Sequence, residues 1–209
     1  MIKLILFDFD GTIADTLGTI VNLYNKLAPE NNMPTVSNSQ VQILRNQSAK
    51  EIIKEFKISP IKIMLIGNSI RKEVKENIKD IPIFDGIDLL FNNLKKKNIK
   101  IGILTSNSKE NVELFLKNKK INSVDFIHGE KNIFGKAKVI EKVIKNKQIS
   151  KNDVIYVGDE VRDIESAHKA KIKIISVSWG FNSKKRLKAA NPDYLVDNPN
   201  EILNIVDII

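Results

Sequence analysis

Lys3-Leu-Ile-Leu-Phe-Asp8-Phe9-Asp10-Gly11-Thr12 decides how this chain of 209 residues is to be read. An apolar, β-branched run ends abruptly in two carboxylates and a glycine. Runs of the same kind recur at Lys100–Leu104, Asp153–Val157 and Lys173–Val177, with weaker ones at Val124–Ile127 and Tyr194–Val196. The first three runs each end in a short polar turn and lead into an amphipathic stretch. Strands alternating with helical patterns predict βαβ units and a parallel sheet, an α/β class of fold. Continuous apolar runs, rather than strict alternation, suit strands buried on both faces. In such a sheet, ligands gather outside the carboxyl ends of the strands. Asp8 and Asp10 therefore arrive where chemistry is expected, and a period of two points both to one side. Gly11 permits a sharp turn directly behind them. A single Asp after a strand often caps the next helix, but two of them with Gly-Thr exceed what a cap requires.

Between Thr16 and about Pro82 the pattern changes. Leu17–Ala28 reads as a helix closed by Pro29 and the Asn31-Asn32 turn. Ser48–Phe56 is a second, with Glu51 at the capping-box position after Ser48. Pro60–Lys79 is a third, with Pro60 at a permitted first-turn position. No strand pattern interrupts them. Asp80-Ile-Pro-Ile-Phe-Asp-Gly86 reads as the return linker, and Gly86 opens the next helix, through about Lys97. The organisation expected is an α/β core of residues 1–15 and 83–209, with residues 16–82 as an all-helical insertion after the first strand.

Two further strand ends carry polar residues. Thr105-Ser106-Asn107 offers hydroxyls and backbone N–H groups at a strand–helix junction, which suits an anion. N-capping of the helix beginning near Lys109 by Ser106, Asn107 or Ser108 accounts for the same residues. The third strand ends in Val157-Gly158-Asp159-Glu160-Val161-Arg162-Asp163. Carboxylates here suit an oxygen-ligated Mg²⁺ site, with Asp159 first off the strand. Glu160 and Asp163 also suit the first turn of a helix.

Composition narrows the chemistry. The absence of Cys excludes disulfides, thiolate nucleophiles, zinc knuckles and iron–sulfur ligation. The two histidines, His128 and His168, are too few for a His-rich metal site and read as structural. No apolar run approaches the roughly 20 residues of a membrane span. Asp8 and Asp10 interrupt the apolar opening before a signal sequence could form. A globular, cytoplasmic protein without a membrane partner is expected. The net charge of +9 raises the question of nucleic acid. The basic residues, however, are 30 Lys against 4 Arg, beside 34 Ile and 23 Asn, which AT-rich codon usage would produce together. Nucleic-acid readers favour Arg forks and aromatic platforms, and aromatic residues make up only 6%. The clusters at Lys95–Lys97, Lys117–Lys120 and Lys184–Lys188 read as solvated surface, not as a nucleic-acid footprint.

Together these residues resemble a known set. Asp8-Phe9-Asp10-Gly11-Thr12, Leu104-Thr105-Ser106-Asn107, a lysine ahead of the third site, and Gly158-Asp159-Glu160-Val161-Arg162-Asp163 look like the four motifs of the haloacid dehalogenase-like (HAD) superfamily. They stand in the right order and span almost the whole chain. The helical insertion resembles that superfamily's small cap. Val177-Ser-Trp-Gly180 with Pro192-Asp-Tyr-Leu-Val196 is similar to its phosphoglycolate phosphatase-like branch. The resemblance implies a Rossmann-like parallel sheet core (the HAD fold) with a cap inserted after the first strand. It also implies a Mg²⁺-dependent phosphatase acting on a small phosphorylated metabolite, with 2-phosphoglycolate a candidate.

What it implies for individual residues follows motif by motif. Asp8 would be the nucleophile that becomes an aspartyl phosphate, and Asp10 the general acid and base. Asp8, Asp159 and the Asp10 backbone carbonyl would hold the metal, with Asp163 in support. Thr105, Ser106, Asn107, Gly11, Thr12 and a lysine would bind the phosphoryl group, and Thr12 could orient Asp10. Lys136 in Phe134-Gly135-Lys136-Ala137-Lys138 matches a Gly-Lys variant of the lysine motif; Lys138 and, more weakly, Lys131 are the alternatives. Arg45 suits a carboxylate on the substrate or simply a surface position, and Asp15 lies where the cap begins. An ordinary Asp, with pKa near 3.9, is protonated about one part in a thousand at pH 7, so Asp10 needs a site that raises its pKa. Asp10 also argues against dehalogenation, which needs no leaving-group acid. A phosphomutase, a catalytically silent binding protein and a nucleic-acid-directed phosphatase are the alternatives. The silent reading sits poorly with the retention of Asp8 and Asp10. A monomer or homodimer is expected.

Overall fold

Leu4, Ile5, Leu6 and Phe7 have no exposed surface, and they form the strand around which the sheet is built. At about 1.5–3 kcal/mol for each fully buried side chain of this size, the strand is held mainly by its two faces. The computed structural model describes residues 1–55, 59–129 and 135–209. Within them, β1 (Leu4–Phe7) pairs in parallel with β2 (Lys100–Thr105) on one side and β4 (Val154–Gly158) on the other. Beyond β2 lies β3 (Phe126–Gly129). Beyond β4 lie β5 (Lys173–Val177) and β6 (Tyr194–Val196). The order β3-β2-β1-β4-β5-β6 is all parallel. The connection direction therefore reverses between β1 and β4, the place where an open α/β sheet leaves a crevice.

The pleat sorts the core into two layers. Ile5 and Phe7 join a cluster with Leu90, Phe91 and Leu94 of α5 (Ile87–Lys96), Val112 and Phe115 of α6 (Lys109–Asn118), and Ile202 and Val206 of α10 (Pro199–Ile208). Leu4 and Leu6 face the opposite way. They pack with Val139, Ile140 and Val143 of α7 (Lys136–Lys147) and with Ile164 and Ala167 of α8 (Val161–Ala170). The short α9 (Lys184–Ala189) buries Leu187 in this second layer. Continuing the alternation, Asp8 falls on the side of α7 and α8.

Between β1 and β2 the described chain is helical: α1 (Thr16–Leu27), α2 (Asn38–Leu44), α3 (Ala49–Glu55) and α4 (Pro60–Glu76). The outgoing and returning chains are tied to each other, with the Asp15 N–H donating to Pro82 O at 2.9 Å and the Phe84 N–H to Ile13 O at 3.1 Å. Of the helices expected here, the one at Ser48–Phe56 is observed as α3, and Phe56 itself lies outside the described residues. The helix α2 is an addition. It carries a complete capping box, with Gln40 N–H on the Ser37 hydroxyl and Ser37 N–H on the Gln40 side chain. Among the described residues, no helix is long and apolar enough to cross a membrane.

The strand expected at Val124–Ile127 begins later, at Phe126. Asp125 replaces the first ladder position with its side chain: Oδ2 accepts from Ile101 N–H at 2.8 Å, while its own N–H donates to Ile101 O. Lys95 adds a bond to Oδ1 at 3.1 Å. Partial burial pushes this carboxyl up, but the Ile101 N–H and Lys95 outweigh it and hold the pKa below the ordinary 3.8. Asp125→Ala is expected to cost about 1–3 kcal/mol, the penalty for a buried donor left unpaired, read from urea midpoints at pH 7. Because the folded pKa is depressed, that contribution is complete above the carboxylate range and fades as pH falls through the folded value. The gap between wild type and variant should therefore narrow as pH falls below about 4, without closing, because the protonated carboxyl still accepts from the Ile101 N–H.

Candidate active site

Asp8 stands one residue beyond β1, 3% exposed. Its Oδ1 accepts from the Phe9 N–H at 2.8 Å and its Oδ2 from Lys136 Nζ at 2.6 Å. Lys136 begins α7 and is 7% exposed; its ammonium also donates to Asp163 Oδ1 at 2.6 Å. Lys138, one of the alternatives for the lysine, is exposed, and Lys131 lies outside the described residues. Asp163 comes from the first turn of α8, where its Oδ2 also accepts from the Glu160 N–H at 3.1 Å, one half of a capping box. A helix-starting acid is thereby fixed over the end of the sheet.

Asp159 leaves β4 completely buried. Both its oxygens are engaged: Oδ1 accepts from the Thr12 hydroxyl and Oδ2 from the Phe181 N–H, each at 2.7 Å. The Thr12 hydroxyl therefore orients Asp159, not Asp10 as expected, because the turn after Asp10 swings it toward β4. Gly11 makes that turn at φ +76°, outside the range most side chains tolerate. Gly180 permits the loop after β5 to close over it. A Cβ there would lie 2.2 Å from Asp159 Oδ2 and 2.3 Å from the Gly11 carbonyl. Trp179, beside it, donates its indole N–H to Thr12 O at 3.2 Å.

Asp8, Asp159 and Asp163 each place a carboxylate oxygen within 4.8 Å of the others. Among the described residues, these three buried carboxylates meet a single buried ammonium. Burial raises the Asp159 pKa well above the ordinary carboxylate range, and repulsion from Glu160, Asp163 and Asp8 adds to it. Burial likewise raises that of Asp8, although Lys136 works against it. Burial drives the Lys136 pKa down, but Asp163 and Asp8 drive it up further, so the lysine stays charged. The cluster is thus short of positive charge, and its donors are all oxygen. Such a set fits a hard divalent cation, whose charge would reverse this repulsion.

Asp10 is partly exposed, and its carboxyl is pushed up to about 7, first by desolvation and then by the Asp8 charge. Lys136 and the Thr16 hydroxyl pull the other way, although Thr16 makes no hydrogen bond of ordinary geometry. A carboxyl titrating near 7 is suited to general acid–base work. Glu160 is also pushed up to about 7 by burial, against the pull of its hydrogen-bonded neighbour Arg162.

The remaining expected residues lie at other element ends. Thr105 ends β2 and is buried, and among the described hydrogen bonds its hydroxyl accepts from the Asn107 N–H at 2.9 Å. Asn107 Oδ1 is taken by the Ser108 N–H and the Asn111 side chain, and Ser106 is exposed. Ser108, one of the three capping candidates, is the residue that caps α6. Asp15 occupies the N-cap position of α1 without a side-chain cap bond.

Arg45 follows α2 and reaches across to the core. Its Nη2 donates to Ser178 O at 2.9 Å, its Nε to Phe181 O at 3.4 Å and its Nη1 to Gln42 Oε1 at 3.0 Å. Asn46 and Arg45 also receive Ser183 and Arg186 of the core through further hydrogen bonds. The sequence reading missed the Phe181-Asn182 backbone. Asn182 Oδ1 accepts from the Val161 N–H at 2.9 Å, fixing the start of α8. The available signal was Gly180, a glycine three residues past the end of β5.

Lys136→Met keeps the bulk of the side chain and leaves Asp8 and Asp163 buried against each other. A loss of about 3–5 kcal/mol is expected, measured by denaturant unfolding at pH 7. Lys138→Met, on the exposed side of the same helix, should stay within about 0.5 kcal/mol.

Comparison with known proteins places this geometry. Residues 5–177 match the haloacid dehalogenase-like hydrolase family. The chain is 30% identical to a phosphoglycolate phosphatase of Synechococcus elongatus, over 97% of this chain and 96% of that one. It is also 30% identical to a Clostridium perfringens protein assigned as the pyrophosphatase PpaX, over 99% and 98%. A haloacid dehalogenase-like hydrolase of Streptococcus pneumoniae superposes with a TM-score of 0.82 at 24% identity, covering 98% of both chains. With the match covering most of its length and the acidic cluster at the β1/β4 crevice, the chain belongs to the haloacid dehalogenase-like hydrolases.

Proposed function

We propose that the protein is a Mg²⁺-dependent phosphatase that hydrolyses a small phosphate monoester through an aspartyl phosphate on Asp8. In this reading residues 16–82 form the cap over a core of residues 1–15 and 83–209. The observation that carries it is Asp8 itself, buried at the crevice with one oxygen on Lys136 and its neighbours Asp159 and Asp163 within 4.8 Å. Phosphate monoesters hydrolyse among the slowest of biological reactions without catalysis, and a covalent route divides the barrier into two smaller ones.

Asp8, Asp159 and the Asp10 backbone carbonyl would hold Mg²⁺, with Asp163 in support. When bound, the ion supplies neutralising charge to the transferring phosphoryl group. Lys136 holds Asp8 in place and pairs with phosphoryl oxygens as the negative charge shifts onto them. Asp8 forms a bond to phosphorus while the ester P–O bond breaks, and Asp10 gives its proton to the departing alkoxide. Asp10 then takes a proton from water as the water oxygen attacks phosphorus, releasing inorganic phosphate and regenerating Asp8. An Asp10 titrating near 7 is available in both forms for these two steps. Thr105, Ser106, Asn107 and the Gly11-Thr12 turn complete the phosphate side. Arg45 we assign to closing the cap on the core, since its donors are taken up there. 2-Phosphoglycolate, named by the Synechococcus relative, heads the panel of substrates to compare.

Release of phosphate from p-nitrophenyl phosphate with Mg²⁺ is the direct test. Asp8→Asn should lower turnover by on the order of 10³-fold or more, as loss of a nucleophile does. Equal rates for variant and wild type would overturn the proposal. Mg²⁺ at about 100 times its dissociation constant should also stabilise the wild type by about 2.7 kcal/mol. Asp159→Asn should remove most of that gain in a thermal-shift titration.

A further inference from the structure

A cavity of about 340 Å³ opens between the inserted helices and the core loop after β5. Ile20, Val21, Val41, Leu44, Ile52 and Ile70 make its walls apolar. Its floor is Glu160, Phe181 and Asn182. These residues also hold the acidic cluster: the Phe181 N–H donates to Asp159 and the Glu160 N–H to Asp163. The floor of the cavity therefore adjoins the residues that brace the acidic cluster.

Most polar groups on the lining are already committed, the buried Gln47 Oε1 being an exception that accepts no hydrogen bond among the described residues. Tyr24 donates to Pro34 O, the Gln47 amide to Glu55, and Asn182 Oδ1 accepts from the Val161 N–H. Among the described lining residues Arg45 is the one full cation, and all three of its nitrogens are bonded to the protein. Glu160 contributes a carboxyl already hydrogen-bonded to Arg162, and no cation that could meet a second anion. A carboxylate placed here would be desolvated without a partner, which is costly. A cavity of about 150 Å³ suffices for benzene, and this one has roughly twice that volume.

Resting on the phosphatase reading, we infer that this cavity receives the alcohol half of the ester, so that the preferred substrate is a phosphate monoester whose alcohol carries an uncharged, apolar body of one or two rings or a branched chain. A small, doubly anionic ester such as 2-phosphoglycolate fits this cavity poorly. The walls select for bulk, and the phosphoryl group is held separately at Asp8.

The test is a substrate series with the intact protein and Mg²⁺: ethyl, butyl, hexyl and 2-phenylethyl phosphate, with 2-phosphoglycolate and isobutyl phosphate, its near-isostere without the carboxylate. Burial of each added methylene should raise kcat/KM by roughly fourfold until the cavity is full. Isobutyl phosphate should exceed 2-phosphoglycolate by tenfold or more. Leu44→Arg, which brings a cation into the cavity, should narrow or reverse that last ratio. A flat series with 2-phosphoglycolate preferred would overturn this inference and leave the phosphatase reading standing. No Asp8-dependent turnover of any member would overturn both.

Discussion

Everything at the candidate site depends on one buried ammonium. Lys136 Nζ lies 2.6 Å from both Asp8 and Asp163, and it joins the ends of β1, α7 and α8 at one point. Desolvating a lysine and two carboxylates is expensive, and attraction at short range recovers that cost only when the geometry is good. A well-packed apolar trio in the same place would serve stability as well or better. The arrangement makes sense if the charge is kept for chemistry, with Asp8 held ionisable and aimed. The remaining carboxylate, Asp159, pairs with no lysine among the described residues and is held by the Thr12 hydroxyl and the Phe181 N–H.

The sheet order explains why these groups meet. β1 lies between β2 and β4, so the ends of the first and fourth strands are neighbours although 150 residues separate Asp8 from Asp159 in sequence. Strand parity decides the rest. Asp8 continues the Leu4 and Leu6 side of β1, and that is the side covered by α7 and α8. Those helices supply Lys136 and Asp163 from their first turns. Had β1 slipped by one residue, Asp8 would face α5 and α6, whose buried residues are almost all apolar.

How much of this can be read from the residues alone depends on the range of the interaction. The strands at Lys3–Phe7, Lys100–Leu104, Asp153–Val157 and Lys173–Val177 declare themselves through apolar runs and need no partner to be seen. The acidic strand ends are visible for the same reason. The choice between Lys136 and Lys138 is not, because two lysines one residue apart on either side of Ala137 differ only in which faces the core. The helix α2 was missed although Ser37 and Gln40 spell its cap, since its sequence, Asn-Ser-Gln-Val-Gln-Ile-Leu, has too few apolar residues to show a period. The late start of β3 hinges on the Asp125 side chain standing in for backbone. No propensity records that substitution. The bonds from Thr12 to Asp159 and from Phe181 to Asp159 span 147 and 22 residues, and no local pattern announces them.

Phe181 links the two halves of the molecule more closely than its sequence position suggests. Its N–H points inward to the carboxylate of Asp159, and its carbonyl accepts from Arg45 of the inserted helices. Ser183, two residues on, donates its N–H to the Arg45 carbonyl and its hydroxyl to Asn46. Movement of the helical insertion away from the core must break these bonds, and the strain falls on the same short loop that braces Asp159. Gly180 makes that loop tight, because any side chain there would push apart Asp159 and the Gly11 carbonyl. The position of the insertion and the placement of the acidic cluster are therefore not independent variables. Phe181 stands in both, lining the cavity and donating its N–H to Asp159.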